Sequence, residues 1–381
     1  MSFYFNNAAT TWPKPECVAD SMRDFLLKGG ANSSRGTSSE RDMETMNLIL
    51  DCRMKLCEFF GGYDALNITF TANITEALNI VLRGFLREGM KVLTTSMEHN
   101  AVMRPLRALE NNGIKFEIVS ADSEGMLNPD DVENKIKSSN FDLMVMSHAS
   151  NVCGTVQPLK EISEICKKYN LPLVLDSAQT AGLIEINASE LGLAALCFTG
   201  HKGLMGPQGT GGIVWNPDFV PQVEPIITGG TGSYSHLEYQ PCDMPDKFEA
   251  GTPNLPGIAG LNAALTWLKD VGIKKISERE NELGRYFLES LKNFDEVMLT
   301  GKKEMKDRLS VFSFNFKEID NGILADELSR AGFETRPGLH CSPSAHKTLG
   351  TFPQGTLRVS PGYFNTEKEI DALMTVMKTL L

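Results

Sequence analysis

A lysine and an aspartate stand in sequence contexts that suit one kind of cofactor chemistry. Asp176 closes the apolar segment Leu173–Asp176, and Lys202 follows later in the run Gly200-His201-Lys202-Gly203. A lysine amine can form a Schiff base with pyridoxal phosphate, and a carboxylate keeps the pyridine nitrogen protonated so that the ring accepts electrons. Glycines beside the lysine would let the backbone approach a ligand closely. The pair therefore predicts a pyridoxal phosphate site.

A cysteine and an arginine near the C-terminal end are further candidates for chemistry. Cys341 lies in the polar segment Arg336–Pro343 (the cysteine segment), which two prolines and a glycine interrupt. Such a segment predicts an exposed thiol rather than one that only packs. Arg358 follows in a short apolar run, where its planar guanidinium suits a carboxylate ligand, with a surface ion pair as the alternative.

The other cysteines have no comparable context. Four lie in helical or apolar runs and are predicted to be small buried side chains: Cys52, Cys57, Cys166 and Cys197. Three lie in looser surroundings with no neighbouring motif: Cys17, Cys153 and Cys242.

Three further segments follow predicted strands and could contact a ligand. Thr75 opens a helix after the run Thr71–Asn73, where backbone N–H groups could hold a phosphate or form an ordinary helix cap. His99 could stack on a planar ring or be structural. Asn151 could offer its amide to a ring oxygen or form a loop turn.

The pattern of apolar segments predicts the elements that position these residues. Strands are predicted at Ala65–Phe70, Lys91–Thr95, Lys115–Val119, Asp142–Ser147, Leu171–Asp176, Ala195–Thr199 and Gly211–Trp215. Helices are predicted between them at Thr75–Phe85, Val102–Asn111, Pro129–Ile136 and Leu159–Tyr169. Apolar strands that alternate with helices indicate a mostly parallel sheet covered on both faces. Ligands bind such sheets beyond the carboxyl ends of the strands, where the candidate residues fall.

The rest of the chain predicts a second, smaller α/β domain. A long and broken helical connection is predicted at Pro256–Asn293. Beyond it we expect strands at Glu296–Leu299, Leu309–Phe316 and Thr356–Val359, and helices at Gly322–Arg330 and Glu367–Leu380. The predicted organisation is an N-terminal segment (1–20) packed on the small domain, a large cofactor-binding domain (21–255), the connection (256–293) and the small domain (294–381).

Composition excludes several classes of function. The chain has 381 residues, 41% of them hydrophobic, and a net charge of −11, which argues against a general nucleic-acid or acidic-membrane surface. No stretch approaches the roughly 18 apolar residues of a membrane span. The N-terminus lacks the layout of a signal peptide. Eight cysteines without regular spacing predict a reducing cytoplasm and no metal site.

The motifs together resemble those of the aminotransferase class V family. The matching segments are Asn6–Thr11, Thr71–Ala77, Glu98–Asn100, Asn151, Asp176–Gln179 and Gly200–Lys202. Three further segments resemble the cysteine desulfurase and selenocysteine lyase branch, in the type with a compact, ordered cysteine loop: Glu249–Asn254, Arg336–Cys341 and Arg358.

The resemblance implies fold type I of the pyridoxal-phosphate-dependent transferases, with a seven-stranded sheet, and a homodimer. It implies that Lys202 holds the cofactor and acts in catalysis, that Asp176 pairs with the pyridine nitrogen, and that His99 stacks on the ring as a further catalytic residue. Gln179 and Asn151 would bind the ring hydroxyl. The phosphate would be bound by Ile74, Thr75, Thr199, His201 and, across the dimer interface, Thr252.

The resemblance also implies the reaction. Arg358 and Asn151 would bind the carboxylate of L-cysteine, and Cys341 would accept the sulfur as a persulfide, which leaves L-alanine. The alternatives are a selenocysteine lyase, or an aminotransferase or carbon–sulfur β-lyase that needs Lys202 but not Cys341. A non-catalytic scaffold would normally have lost Lys202 or Asp176. A sulfur-accepting partner protein is expected, and Arg35 falls near a basic position of the family without an assigned role.

Overall fold

The computed structural model describes residues 2–31, 39–294 and 296–380. Its helices are α1 Glu16–Asp24, α2 Glu40–Phe59, α3 Ile74–Phe85, α4 Asn100–Glu110, α5 Pro129–Ser138, α6 Leu159–Lys168, α7 Ala188–Leu191, α8 Leu255–Val271, α9 Ile273–Leu291, α10 Asn321–Arg330, α11 Pro343–Thr348 and α12 Glu367–Leu380. Its strands are β1 Phe3–Tyr4, β2 Ile68–Thr71, β3 Lys91–Thr95, β4 Lys115–Val119, β5 Leu143–Ser147, β6 Leu173–Asp176, β7 Ala195–Thr199, β8 Gly211–Trp215, β9 Met298–Thr300, β10 Phe312–Asn315, β11 Phe333–Glu334, β12 Arg336–Gly338 and β13 Thr356–Val359.

A seven-stranded sheet forms the centre of the molecule, in the order β2-β8-β7-β6-β5-β3-β4. All pairs are parallel except those of β8, which runs antiparallel to β2 and to β7. The prediction of a mostly parallel α/β sheet is confirmed, and each of its seven strands was predicted. The carboxyl ends of the parallel strands meet at one edge, which brings their following residues together.

Both faces of the sheet are covered, which explains why its strands are apolar throughout. Along β5, Met144 and Met146 join one core with α1, α2, α5, α6 and α8, while Leu143 and Val145 join a second core with α3 and α4. Alternate side chains of a strand point to opposite faces, so a sheet covered on both sides needs apolar residues at every position.

The segment between 255 and 291 forms two helices that belong to different cores. α8 and α9 are separated by Gly272, whose φ of +88° suits a residue without a side chain. Leu261 and Leu265 of α8 pack into the core of the large sheet. Phe287 and Leu291 of α9 pack into a C-terminal core. Ile276 in the first turn of α9 still packs in the core of the large sheet, so the chain passes from one core to the other along α9, just after the break.

The C-terminal part contains a four-stranded antiparallel sheet in the order β12-β13-β10-β9. Phe312 and Phe314 of β10 pack with Phe287 of α9 and with apolar residues of α10 and α12. The N-terminal β1 pairs in parallel with β11 of this part. The first residues of the chain are therefore fixed on the C-terminal part before the chain crosses to the large sheet.

Several elements differ from the sequence predictions. The predicted strand Ala65–Phe70 begins only at Ile68, because Asp64 accepts a hydrogen bond from the N–H of Leu66 at 2.7 Å and caps a short 3₁₀ turn. Leu309–Phe316 shortens to β10, and the other predicted bounds differ by at most two residues. The elements that the sequence analysis did not predict are α1, α2, α7, α11, β1, β11 and β12.

The helix α2 lacks a clear apolar stripe in its sequence because its apolar side chains do not share one buried face. Leu56 is fully buried, whereas Met43 and Met54 are 56% and 49% exposed. Its start is defined by Ser39, whose side chain accepts from the N–H of Asp42.

Among the described residues, no helix is long and apolar enough to cross a membrane.

Candidate active site

Asp176 is the last residue of β6 and Lys202 follows β7, so both lie at the carboxyl edge of the sheet. Burial lowers the pKa of Lys202 to about 8, although the charge of Asp176 acts in the opposite direction. The other charges that act on the Lys202 amine come from Arg358, Arg336 and Cys341. The structure therefore brings the predicted lysine, aspartate, arginine and cysteine into one site.

Asp176 is buried and supported by its neighbours. Its Oδ1 accepts a hydrogen bond from the N–H of Ala178 at 2.9 Å. Burial raises the pKa of Asp176 above its ordinary value, while the Ala178 amide, Lys202 and Ser147 stabilise the ionised form. Adding an opposite charge, such as a protonated pyridine nitrogen, would stabilise this carboxylate further.

The glycines beside Lys202 have a structural reason that differs from the predicted one. A Cβ on Gly200 would lie 2.1 Å from Oγ1 of Thr210, and one on Gly203 would lie 2.4 Å from the backbone oxygen of Ala181. These glycines allow close packing of the Lys202 segment against neighbouring protein. This packing accounts for the glycines by itself, and their role in ligand approach stays a prediction.

His99 is the N-cap of α4, and its imidazole is neutral. Its Nδ1 accepts a hydrogen bond from the N–H of Ala101 at 3.0 Å, so the proton of the neutral ring is on Nε2. Burial, and then the charges of Lys202 and Arg336, lower the pKa of His99 to about 4. A neutral ring held in this way suits stacking on a planar ligand.

The two amide side chains of the predicted site contact neighbouring segments. Nε2 of Gln179 donates to the backbone oxygen of Ala8 at 3.1 Å. Nδ2 of Asn151 donates to the backbone oxygen of His340 at 2.7 Å, and its Oδ1 accepts from Oγ of Ser342 at 2.7 Å. Gln179 thus holds the N-terminal segment, and Asn151 holds the cysteine segment.

The predicted phosphate-binding residues lie around the start of α3 and the end of β7. Ile74 and Thr75 are the first residues of α3, whose N-cap Asn73 accepts a hydrogen bond from the N–H of Glu76 at 3.0 Å. The N–H groups of a first helical turn have no partner within the helix. Thr199 is buried at the end of β7.

His201 precedes Lys202 and carries an unsatisfied group. Its Nδ1 is buried and has no hydrogen-bond partner. Burial, and then Lys202 and Lys14, lower the pKa of His201 to about 4. A neutral imidazole with a proton on this nitrogen could donate to an anion.

Thr252 is exposed on a loop that is anchored to the large sheet. It shares a cavity of about 210 Å³ with Thr71 and Ala72. The loop begins at Glu249, which forms a buried ion pair with Arg53, with 2.5 Å between Nη2 and Oε2. This anchor fixes the position of the loop near the start of α3.

Arg358 is 1% exposed and has an incomplete set of partners. Nη1 donates to the backbone oxygen of Asn151 and Nη2 to Oδ1 of Asn6, both at 2.9 Å. Nε is buried without a partner, and no ion pair among the described residues involves Arg358. Burial, and then Arg336, lower the pKa of Arg358 to about 9. The alternative of a surface ion pair was wrong, and the site favours an anionic ligand.

Cys341 is exposed and lies 3.8 Å from Nη2 of Arg336, measured to Sγ. His340, next to Cys341 in the sequence, supplies no positive charge to the sulfur. The His340 side chain is buried, with 3.0 Å between Nε2 and Oγ1 of Thr356. Burial, and then Arg358, lower the pKa of His340 to about 2, so the imidazole is neutral. Arg336 alone of these two supplies positive charge to the sulfur.

All eight cysteines are free. Cys52, Cys166 and Cys197 are buried as predicted, and burial raises the pKa of Cys52 and of Cys166 to about 12. Cys57 is only half-buried. Cys153, which the sequence placed in a looser context, is also buried.

The family model described as "Aminotransferase class-V" matches residues 3–373. The chain belongs to the aminotransferase class V family. A protein named "Probable cysteine desulfurase" from Pyrococcus abyssi is 32% identical over 387 residues, which cover 99% of this chain and 94% of that protein. A "Cysteine desulfurase" from Haloferax volcanii is 28% identical, with 97% of this chain and 87% of that protein covered.

A solved structure supports the same family at the level of the fold. The apo structure of a cysteine desulfurase from Thermococcus onnurineus NA1 has a TM-score of 0.93 and 32% identity, and the match covers 100% of this chain and 94% of that one. The chain therefore has fold type I of the pyridoxal-phosphate-dependent enzymes, as predicted. Pyridoxal phosphate is its cofactor, because members of this family depend on it.

The residues present fit this cofactor. The unpartnered Nδ1 of His201 and the free N–H groups at the start of α3 are donors for a phosphate. Asp176 is an acceptor for the pyridine nitrogen, and the lowered pKa of Lys202 favours the neutral amine that forms an imine.

Sequence reasoning missed functional contacts that the fold creates. Asn6 accepts a hydrogen bond from Arg358, and Ser342 donates one to Asn151, although the two residues of each pair are far apart in the sequence. Lys14 donates to the backbone oxygen of His201 at 2.7 Å. Asn6 belongs to the segment Asn6–Thr11, which resembles the family, and this resemblance was the signal that could have identified Asn6. The Arg35 position lies outside the described residues.

Proposed function

We propose that this chain is a cysteine desulfurase that transfers the sulfur of L-cysteine to Cys341 and releases L-alanine. The observation that carries the proposal is the set of groups around the Lys202 amine, which includes Asp176, Arg358 and an exposed thiol. An aminotransferase or a β-lyase needs Lys202, Asp176 and Arg358 but has no use for the thiol. The "Probable cysteine desulfurase" from Pyrococcus abyssi and the cysteine desulfurase from Thermococcus onnurineus NA1, both 32% identical, favour the same reaction.

Arg358 is the proposed carboxylate-binding group. Its guanidinium is buried, keeps one N–H without a partner and has no neighbouring carboxylate among the described residues. A substrate carboxylate would complete its hydrogen bonds and neutralise its charge. The remaining amide hydrogen of Asn151 is a second proposed donor to the substrate.

Pyridoxal phosphate, when bound, supplies an electron sink conjugated with the α-carbon of the substrate. Lys202 would hold it covalently and Asp176 would face the pyridine nitrogen. His99 would stack on the ring, and Gln179 and Asn151 would bind the ring hydroxyl. The proposed phosphate ligands are Ile74, Thr75, Thr199 and His201 of one protomer, with Thr252 of the partner subunit.

Lys202 and Cys341 carry the proposed proton and sulfur transfers. The neutral Nζ of Lys202 accepts the α-proton of the substrate, and the pKa of about 8 keeps a useful fraction neutral near pH 7. Sγ of Cys341 forms an S–S bond with the substrate sulfur as the Cβ–S bond breaks. The carbon is reduced to the methyl group of alanine, which takes up the thiol proton. L-Cysteine and the enzyme thiol thus give L-alanine and the persulfide without an external oxidant.

The proposal includes a homodimer, a sulfur-accepting partner protein and a cytoplasmic location. Thr252 is exposed near the start of α3, where a second copy could bring it to the partner's phosphate. The free thiols suit a reducing compartment. Because the persulfide forms on an exposed side chain, an acceptor protein could reach it.

The proposal is tested with the Cys341→Ala variant of the purified holoenzyme. We expect the visible cofactor band to remain, because the residue has no part in holding the cofactor, and the release of sulfide and alanine from L-cysteine to fall at least tenfold. A variant that keeps full sulfide release, with pyruvate and ammonia in place of alanine, would indicate a β-lyase. Activity toward L-selenocysteine could persist in the same variant, because selenium can leave the substrate without an enzyme thiol. A native enzyme that acts on L-selenocysteine but not on L-cysteine would indicate a selenocysteine lyase.

A further inference from the structure

Asn151 uses both ends of its side-chain amide to hold the residues on either side of Cys341. Nδ2 donates to the backbone oxygen of His340 at 2.7 Å, and Oδ1 accepts from Oγ of Ser342 at 2.7 Å. Asn151, His340 and Ser342 are 9%, 3% and 0% exposed, whereas Cys341 itself is exposed. The thiol therefore reaches the solvent from a backbone that is anchored in the interior.

The backbone at this point needs such an anchor. His340 and Cys341 have φ values of +49° and +61°, in the left-handed region that residues with a side chain rarely adopt. Each such residue costs about 1 kcal/mol or more. The backbone oxygen of Cys341 accepts a hydrogen bond from the N–H of Asn100 at 2.9 Å, and the N–H of Ser342 donates to Leu339 at 2.8 Å. Hydrogen bonds on both sides thus compensate the strained conformation.

Chemistry fixes the orientation of the Asn151 amide. A backbone oxygen only accepts hydrogen bonds, so the NH₂ group must face His340. The oxygen then faces Ser342, whose hydroxyl must donate. One hydrogen of Nδ2 remains for a ligand. The backbone oxygen of His340 therefore sets the orientation of the Asn151 amide, and the Ser342 hydroxyl, which has no place in the proposed ligand contacts, holds the amide in that orientation.

We propose that Ser342 is a positioning residue that, through Asn151, holds Cys341 in the left-handed conformation from which its sulfur reaches the substrate. The role of the thiol rests on the proposed function, while the hydrogen bonds that hold the cysteine segment exist without substrate. A nucleophile displaced by about 1 Å can lose two orders of magnitude in rate, so the position of this backbone matters for turnover. Substrate binding through Arg358 does not depend on it.

The test compares Ser342→Ala with Ser344→Ala in the holoenzyme. Ser344 lies two residues further on, and among the described hydrogen bonds its hydroxyl donates none to Asn151. Hydrogen exchange of the backbone amides in Leu339–Ser342 is measured without substrate. Turnover of L-cysteine is then measured as kcat and KM.

For Ser342→Ala we expect at least tenfold faster exchange in this stretch and at least a tenfold lower kcat, with a smaller change in KM because Arg358 still binds the substrate. For Ser344→Ala we expect no change. Unchanged exchange would overturn the anchoring role, and faster exchange with an unchanged kcat would overturn the positioning role. If the native enzyme released no alanine from L-cysteine, the proposed function would be wrong. The exchange experiment, which needs no substrate, would still show whether Ser342 anchors the cysteine segment. Should Ser342→Ala not fold, Asn151→Asp removes the donor to His340 with almost no change of shape, and the same faster exchange is expected.

Discussion

At the scale of single residues, charge and burial assign different tasks to the two arginines of the site. Arg358 is buried with an N–H that lacks a partner, which suits a ligand that is buried with it. Arg336 contacts the exposed Cys341 and acts on its sulfur. These two residues can therefore be tested separately, one through substrate binding and the other through thiol reactivity.

Replacing Arg358 should weaken substrate binding without releasing the cofactor. Hydrogen bonds to a charged group contribute about 1.5–3 kcal/mol, so Arg358→Gln should raise KM for L-cysteine by about tenfold or more. The measurement is steady-state kinetics together with the visible cofactor band. An unchanged KM would show that the substrate carboxylate binds elsewhere.

Replacing Arg336 should slow the reaction of Cys341 with iodoacetamide at neutral pH. Its guanidinium is 3.8 Å from the sulfur and places a positive charge beside this nucleophile. We expect Arg336→Gln to lower the alkylation rate of Cys341 severalfold, measured by peptide mass spectrometry, with exposed Cys17 as the internal reference. The control is Arg107→Gln, an exposed arginine paired with Glu110. Equal rates in the three proteins would remove Arg336 from this role.

At the scale of elements, local signals located the strands but not their tertiary contacts. The apolar runs gave the strands of the central sheet, and Asp176 and Lys202 follow two of them, so the carboxyl edge was predictable. The helix α2 was missed because apolar residues such as Met43 and Met54 are exposed. The hydrogen bonds of Asn151 to His340 and Ser342 join residues about 190 positions apart, and no local pattern encodes them.

The buried pair of Arg53 and Glu249 should contribute strongly to stability. Their side chains are 6% and 15% exposed, and Oε1 of Glu249 also accepts from the N–H of Phe70 at 2.6 Å. Removing one partner of a buried pair costs about 3–5 kcal/mol, so Arg53→Met should lower the free energy of unfolding by roughly that amount. Denaturant unfolding provides the measurement.

The control for this pair is Lys269→Met. Lys269 and Glu58 form an exposed pair with side chains 64% and 65% accessible. Such pairs contribute about 0–1 kcal/mol. A similar loss of unfolding free energy in Arg53→Met and Lys269→Met would contradict the larger contribution of the buried pair.

At the scale of the whole molecule, a buried carboxyl near the junction of the two cores links stability to pH. Burial raises the pKa of Glu280 on α9 to about 8, above the ordinary value of 4.5. Between pH 4.5 and about pH 8 the folded state keeps a proton on Glu280 that the unfolded state has released. The contribution of Glu280 to stability is therefore complete below pH 4.5 and is lost as the pH rises toward 8. We expect Glu280→Gln to flatten the fall in unfolding free energy between pH 5 and pH 8, measured by urea unfolding. An identical slope in the variant and the native protein would contradict this assignment.

The chemical state of Cys341 after one turnover tests most directly whether the enzyme transfers the substrate sulfur to this residue. Holoenzyme is mixed with L-cysteine without an acceptor, and the peptide that contains Cys341 is analysed by mass spectrometry alongside the alanine released. We expect this peptide to gain one sulfur atom, in an amount equal to the alanine of the first turnover, and the peptide with Cys17 to remain unmodified. An unmodified Cys341 alongside alanine and free sulfide would contradict the central claim.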